Sequence, residues 1–194
     1  MHQKNKIKFI ESYKEKITRK INSINGDVFN QITENIEYCN AKGSTIYIIG
    51  NGGSAATASH MQNDLGVGLK TRDILNLNII SLCDNLSVIT ALANDIGYEN
   101  IFYSQLNDRI KKDDSLIAIS CSGTSPNIIK AVEYARGIGS TIIGMTGFNG
   151  GQLKELSDIN YHVQTEPGEY GVVEDLHMIL DHMLYTYYCN TKKI

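Results

Sequence analysis

Apolar residues along this chain follow two alternating patterns that together predict an α/β fold. Short runs rich in β-branched residues, typical of buried strands, lie at 46–49, 77–82, 115–120, 141–146 and 159–163. Apolar residues at helical spacing occupy 54–65, 86–93, 98–109, 127–137 and 170–188. This alternation favours right-handed βαβ units and a central parallel sheet of about five strands with helices on both faces.

The first 43 residues are predicted to form two further helices, at 6–23 and 27–41. Gly26 interrupts the helical pattern and Gly43 ends it. The 194 residues show no internal repeat, so we expect one domain. Within it, 1–43 is the N-terminal helical segment, and 44–194 is the α/β core with its C-terminal helix.

Charge and composition narrow the range of partners. A net charge of −3 argues against a broad nucleic-acid surface. No apolar run reaches the roughly 18 residues of a membrane span. The four cysteines are scattered without a C-x-x-C pair, and the first residues are polar. We therefore expect a cytoplasmic protein with reduced thiols that binds neither nucleic acid nor membranes.

A glycine-rich turn joins the first predicted strand to the next helix and has the sequence Gly50-Asn51-Gly52-Gly53-Ser54-Ala55. A strand, a glycine turn and a helix N-terminus bring backbone N–H groups and a positive dipole end to one place. This arrangement predicts an anion site. The glycine spacing fits neither the dinucleotide fingerprint nor the P-loop.

A loop rich in hydroxyl groups follows the predicted strand at 115–120 and reads Ser120-Cys121-Ser122-Gly123-Thr124-Ser125-Pro126. Hydroxyl and amide groups at a helix start can hold a phosphate without Lys or Arg. The structural alternative is a capped loop in which Ser125 serves only as N-cap. Several hydroxyls facing a second glycine turn favour phosphate binding. Cys121 is interpreted as a small loop residue rather than a nucleophile, because no pattern supplies it with a base.

These loops resemble those of sugar isomerase (SIS) domains, especially the phosphoheptose isomerases. The resemblance extends to His60, to Asn94-Asp95-x-Gly97, to the loop at 146–151 and to a terminal helix with His177 and His182. It implies a flavodoxin-like three-layer fold and a homotetramer with sites at subunit interfaces. The implied activity is aldose–ketose isomerisation of a phosphorylated sugar. The implied reaction converts sedoheptulose 7-phosphate to D-glycero-D-manno-heptose 7-phosphate through an enediol, for heptose and surface polysaccharide synthesis.

The resemblance also implies roles for individual residues. It makes Asp64 the base and His182 its acid/base partner, and it implies one zinc ion held by His60, Asp64, Glu174 and His182. His60 and Asp64 share a helix face at i, i+4 spacing. The implied substrate-binding residues are Asn51, Gly52, Gly53, Ser54, Asp95, Ser120, Cys121, Ser122, Ser125 and Glu174. His177 is interpreted as a structural histidine.

Departures from the family pattern leave alternatives open. Asp64 stands where the family has Glu, Glu174 stands where it has Gln, and Gly66-Val67-Gly68 replaces Gly-Arg-Tyr. These changes predict an altered sugar pocket. One alternative is a non-catalytic sugar-phosphate-binding or scaffold module, against which the retained His182 argues. The others are an isomerase of a different ketose phosphate and an enzyme that eliminates or cleaves at a sugar carbon.

Overall fold

The computed structural model describes residues 2–191, and their side chains from residue 5 onward. Five parallel strands form one sheet in the order β2-β1-β3-β4-β5. Their bounds are β1 Thr45–Gly50, β2 Asn78–Ser81, β3 Ser115–Ser120, β4 Thr141–Phe148 and β5 Ile159–Gln164. The strand order reverses between β1 and β3, as in flavodoxin-like sheets. The predicted fold class is therefore confirmed.

Eight α-helices accompany the sheet in the described part of the chain. They are α1 His2–Asn22, α2 Gly26–Lys42, α3 Gly53–Met61, α4 Leu86–Ile96, α5 Tyr103–Leu106, α6 Pro126–Ile138, α7 Gly151–Leu156 and α8 Tyr170–Thr191. Within residues 2–191, no helix combines the length and the hydropathy needed to cross a membrane.

Two apolar layers cover the two faces of the sheet, because strand side chains alternate between them. Ile46 and Ile48 of β1 face a core that includes residues of α2, α3 and α8. Tyr47 and Ile49 face the opposite core, which includes residues of α5, α6 and α7. The result is a three-layer molecule whose central strands are buried on both sides.

The two N-terminal helices lie where the sequence predicts them. Asn25 accepts a hydrogen bond from the Asp27 amide at the start of α2, and Gly43 ends this helix in the left-handed conformation with φ of 66°. The long helix α1 lies against α8, where the Tyr13 hydroxyl donates to the Asp175 carboxylate over 2.6 Å. This packing leaves much of α1 exposed.

Three local features differ from the sequence prediction. The helix predicted at 54–65 is α-helical only to Met61 and continues as a π-helix over Gln62–Gly68. The helix predicted at 98–109 is broken into a 3₁₀ turn, Tyr98–Asn100, and the single turn of α5. Helix α7 was not predicted, because six residues with one buried side chain show no readable period. The predicted single domain is not tested by these observations and stays a prediction.

Candidate functional site

A cavity of about 280 Å³ lies at the carboxyl ends of β1 and β3, where the strand order reverses. Every predicted substrate-binding residue except Asp95 lines it, together with Ile119 and Tyr170. None of these lining residues is a lysine or an arginine. An anion in this cavity would therefore be held by hydroxyl groups, amides and helix dipoles rather than by side-chain cations.

Two of the helices that begin at this cavity, α3 and α6, lack side-chain caps. The N-cap residue of α3 is Gly52, which has no side chain, and that of α6 is Ser125, whose hydroxyl makes no capping hydrogen bond. By contrast, Asn25 and Asn85 cap α2 and α4, which begin elsewhere. The Ser125 hydroxyl instead lies 3.4 Å from the Ser120 hydroxyl. This arrangement favours a ligand-binding role for Ser125 over the purely structural alternative.

The segment at 147–153, which follows the middle of β4, packs against the loop at 120–125. The Leu153 amide donates to the Gly123 carbonyl over 2.9 Å, and the Gly147 amide donates to the Cys121 carbonyl over 3.0 Å. Gly123 has φ of +64°, and a Cβ atom there would lie 1.9 Å from the Gly150 carbonyl oxygen. Only glycine fits at this position. The loop after β4 thus fixes the shape of the cavity wall rather than lining it.

Two asparagine side chains join the two cavity loops. Asn51 Nδ2 donates to Asn127 Oδ1 over 3.0 Å, and Asn127 Nδ2 donates to Asn51 Oδ1 over 2.8 Å. The Tyr98 hydroxyl also donates to Asn51 Oδ1 over 2.9 Å. Asn127 is almost fully buried. Asn51 therefore holds the glycine turn against α6, in addition to facing the cavity.

Cys121 and Glu174 complete the cavity wall. Burial, with a smaller contribution from the negative charge of Glu174, raises the pKa of the Cys121 thiol to about 11. The thiol is thus neutral at pH 7 and unsuited to nucleophilic attack. The Glu174 carboxylate packs against Gly53, where a Cβ atom would lie 2.4 Å from its oxygens. Among the described residues, Glu174 of α8 is the only acidic residue that lines the cavity, and its carboxylate lies beside the start of α3.

A second group of side chains gathers near the C-terminal end of α3. His60 Nε2 lies 3.4 Å from Asp64 Oδ2, 3.9 Å from Asp181 Oδ2 and 3.2 Å from His182 Nε2. One potential ligand atom from each of these four residues lies within 4.8 Å of the others. Imidazole and carboxylate groups are ligands that transition-metal cations accept. We call this group the His/Asp cluster; it could hold a metal ion.

Asp181 is the most deeply buried member of the His/Asp cluster. It has no exposed surface, and neither of its carboxylate oxygens has a hydrogen-bond partner within residues 2–191. Burial, reinforced by the nearby charge of Asp64, raises the pKa of this carboxyl group to about 7. A buried carboxylate without a partner is costly, and a bound cation would offset that cost.

The predicted metal ligands are only partly brought together. His60, Asp64 and His182 are in the cluster, whereas Glu174 is not, and Asp181 is the fourth member. Glu174 precedes His182 by two helical turns, about 12 Å along α8, and its carboxylate is at Gly53. A signal for Asp181 exists in the sequence: it falls on the buried stripe of α8 with His177, Leu184 and Tyr188, where a carboxylate is unexpected.

Asp95 and His177, for which the sequence also predicts roles, belong neither to the cavity lining nor to the His/Asp cluster. Asp95 is exposed on α4, where its carboxylate accepts a hydrogen bond from Asn94 over 2.9 Å. His177 is fully buried, with Nε2 3.3 Å from the Thr146 carbonyl oxygen. Burial lowers the pKa of His177 to about 4, so its ring is neutral at pH 7. Its surroundings are those of a core residue that links α8 to β4.

Sequence comparison relates this chain to one protein family and to several of its members. Residues 8–147 match the family model described as SIS domain. The phosphoheptose isomerase of Aliarcobacter butzleri is 39% identical over 142 residues, or 73% of this chain and 74% of that protein. The phosphoheptose isomerase of Helicobacter pylori is 34% identical over 173 residues, or 89% of this chain and 88% of that protein.

Solved structures agree with these sequence matches. A phosphoheptose isomerase from Francisella tularensis superposes with a TM-score of 0.86 at 26% identity, covering 97% of this chain and 98% of that one. The phosphoheptose isomerase of Neisseria gonorrhoeae superposes with a TM-score of 0.81, also at 26% identity, covering 96% and 97%. The likeness therefore spans both the cavity and the His/Asp cluster.

Proposed function

The chain belongs to the SIS domain family, and we propose that it is an isomerase that converts sedoheptulose 7-phosphate to D-glycero-D-manno-heptose 7-phosphate. The observation that carries this proposal is the pairing of two sites on α3 and α8. The phosphate cavity lies at the N-terminal ends of these helices, where Glu174 meets Gly53. The His/Asp cluster lies two turns further on, where His182 meets His60.

The distance between these sites suits a long phosphosugar. Eight residues from Glu174 to His182 correspond to about 12 Å along α8. An extended seven-carbon sugar phosphate is roughly 10 Å long, given carbon–carbon bonds of about 1.5 Å. A phosphate in the cavity would therefore leave the carbonyl end of the sugar within reach of the cluster.

The reaction requires a base and a proton carrier at that end of the sugar. We assign to Asp64 the removal of a proton from C1 of the ketose, which gives the enediol, and its return to C2. His182 moves the second proton between the oxygens on C1 and C2. Asp64 is only 15% exposed and its Oδ1 accepts a hydrogen bond from Asn63, so its carboxylate is held in place.

Zinc is the metal that we propose for the cluster. Two imidazoles together with carboxylates suit zinc better than magnesium or calcium, which prefer oxygen ligands alone. Bound there, it would polarise the carbonyl group of the sugar. His60 and His182 contribute nitrogen ligands, and Asp64 contributes a carboxylate.

We further propose a cytoplasmic homotetramer with sites at subunit interfaces, serving heptose and surface polysaccharide synthesis. Helix α4 supports the assembly, because none of its residues is buried although Leu86 and Ile96 are apolar and exposed. Asp95 lies on this helix and does not line the cavity of its own chain. Sedimentation equilibrium should give four chains per particle. The four free cysteines agree with a reducing compartment.

Proton exchange tests the catalytic proposal. The zinc-loaded protein is incubated with sedoheptulose 7-phosphate in deuterated water and followed by NMR. We expect deuterium at C2 of the aldose product, and at least about a 100-fold slower exchange for Asp64→Asn and His182→Asn, since general acid–base groups contribute roughly that much. If the wild-type protein binds the sugar phosphate without exchange, it is a binding module rather than an isomerase.

A further inference from the structure

Asp181 is a buried carboxyl group in the middle of α8 that the packing of the helix does not explain. Its side chain is completely buried, and both oxygens lack a hydrogen-bond partner in the described residues. Burying an ionised carboxylate is costly, and a protein normally offsets that cost with a partner of opposite charge. The nearest cationic candidate is His60, whose Nε2 lies 3.9 Å from Asp181 Oδ2. His60 also faces His182 and Asp64, so it cannot serve Asp181 alone.

The spacing within the His/Asp cluster is that of atoms arranged around a common centre. Ligand atoms about 2.0–2.1 Å from a tetrahedral zinc ion are about 3.3 Å from one another. The separations from His60 Nε2 are 3.2 Å to His182, 3.4 Å to Asp64 and 3.9 Å to Asp181. The two imidazoles approach through the same atom type, Nε2, at an angle of 72° between ring planes. Such an approach fits two rings that share one cation.

We propose that Asp181 is a ligand of a divalent cation of the zinc class, which it holds together with His60, Asp64 and His182. The assignment deepens the proposed function, because it completes the ligand set of that site, but its test needs no turnover. Asp181 takes the ligand role that the family resemblance gives to Glu174. Glu174 remains in the phosphate cavity, against Gly53.

The charges of the cluster support a divalent cation. Asp64 and Asp181 each supply one negative charge, and two neutral imidazoles supply nitrogen ligands, so a divalent cation makes the site neutral overall. A neutral site suits the interior position of Asp181, because neither carboxylate is then left uncompensated. Asp181 would be the fourth protein ligand of the cation, and the sugar carbonyl could join as a fifth ligand when substrate binds.

The matched variants Asp181→Asn and Glu174→Gln test this assignment, because both exchange a carboxylate on α8 for its amide. Zinc affinity is measured by calorimetry on the metal-free full chain, with zinc chloride as titrant. We expect Asp181→Asn to bind zinc at least about 100-fold more weakly, since even outer partners of metal ligands change affinity by 10–100-fold. Glu174→Gln should bind zinc like the wild-type protein. The reverse result would return the role to Glu174 and overturn the proposal.

Cobalt(II) gives a second readout that reports on ligand geometry. The wild-type protein and Glu174→Gln should show the intense visible absorption of four-coordinate cobalt, and Asp181→Asn should show a weaker, shifted spectrum.

Asp181→Leu guards against a folding artefact, because replacing a buried charge by an apolar side chain preserves or raises the stability of the metal-free protein. A stable Asp181→Leu protein that still binds zinc with wild-type affinity would refute the assignment. Loss of isomerisation with zinc binding intact would instead count against the proposed reaction alone.

Discussion

At the scale of single residues, the reciprocal amide pair Asn51–Asn127 is the contact that joins the two phosphate loops. Asn51→Ala would leave the buried amide of Asn127 without its partner. An unsatisfied buried polar group costs about 2 kcal/mol, which corresponds to a Tm about 6 °C lower for a chain of this length. Differential scanning calorimetry measures this shift.

Tyr98→Phe is the matched control for that substitution. It removes only the hydroxyl that donates to Asn51 Oδ1 and leaves the amide pair intact. The ring is also largely exposed, so we expect a Tm close to that of the wild-type protein. Equal Tm values for Asn51→Ala and the wild-type protein would show that the pair does not stabilise the loops.

Single residues also show where sequence reasoning succeeds and where it stops. The cavity residues follow from local chemistry, since Gly52, Ser54 and Ser125 lie in loops whose composition already indicates an anion site. The His/Asp cluster depends on how two helices pack. Asp181 and Glu174 are both acidic residues of α8, and only the contact of this helix with α3 decides which of them faces His60.

At the scale of elements, the N-cap residues of the helices differ in whether they cap the helix or are free to bind a ligand. Asn85 accepts a hydrogen bond from the Val88 amide at the start of α4, whereas Ser125 makes no such bond at the start of α6. Asn85→Ala should therefore lose about 1 kcal/mol of stability and leave phosphate binding unchanged. Ser125→Ala should keep its stability and lose about 10-fold in affinity, because a hydrogen bond to a charged group contributes roughly 1.5 kcal/mol.

Calorimetric titration with sedoheptulose 7-phosphate, beside thermal unfolding of the same samples, measures both effects of this pair of substitutions. Each variant is the control for the other. If Ser125→Ala lowers the Tm and leaves the affinity unchanged, the hydroxyl is a structural cap and the cavity does not bind phosphate through it.

Element boundaries were less predictable than element types. The five strands follow from runs of β-branched residues, such as Ile46–Ile49, which are buried on both faces. The π-helix over Gln62–Gly68 carries no such local signature, because its apolar spacing is close to that of an α-helix. Its wider turn places Asp64 differently from a continuous α3, and π-turns often accompany functional sites. The pattern of the sequence therefore does not predict this conformation.

At the scale of the whole molecule, His177 links the stability of the fold to pH. It is fully buried on α8, and its Nε2 lies 3.3 Å from the Thr146 carbonyl oxygen of β4. Burial lowers its pKa in the folded protein to about 4, whereas the ordinary value is 6.5. Between these values the unfolded chain binds a proton that the folded protein does not bind. The free energy of unfolding must therefore fall as the pH falls from 6.5 towards 4.

This histidine contributes a slope of up to ~1.4 kcal/mol per pH unit over that range. The variant His177→Gln keeps an N–H donor for Thr146 and cannot titrate, so it lacks this contribution. We expect it to be less stable than the wild-type protein at pH 7, because its side chain fits the buried site less well. The difference in free energy of unfolding between the two should shrink by about 1 kcal/mol between pH 6 and pH 5. Urea unfolding of the metal-free proteins at several pH values measures this difference.

The difference between the two proteins isolates His177, because the other titrating groups are common to both and cancel. Proton NMR of the wild-type protein gives an independent measurement, since the ring of His177 must remain neutral at pH 5 in the native state. A stability difference that does not change with pH, together with a protonated ring at pH 5, would mean that α8 opens readily enough to admit solvent. In that event the packing of α8 against β4 would be too loose to hold both the phosphate cavity and the His/Asp cluster in fixed positions.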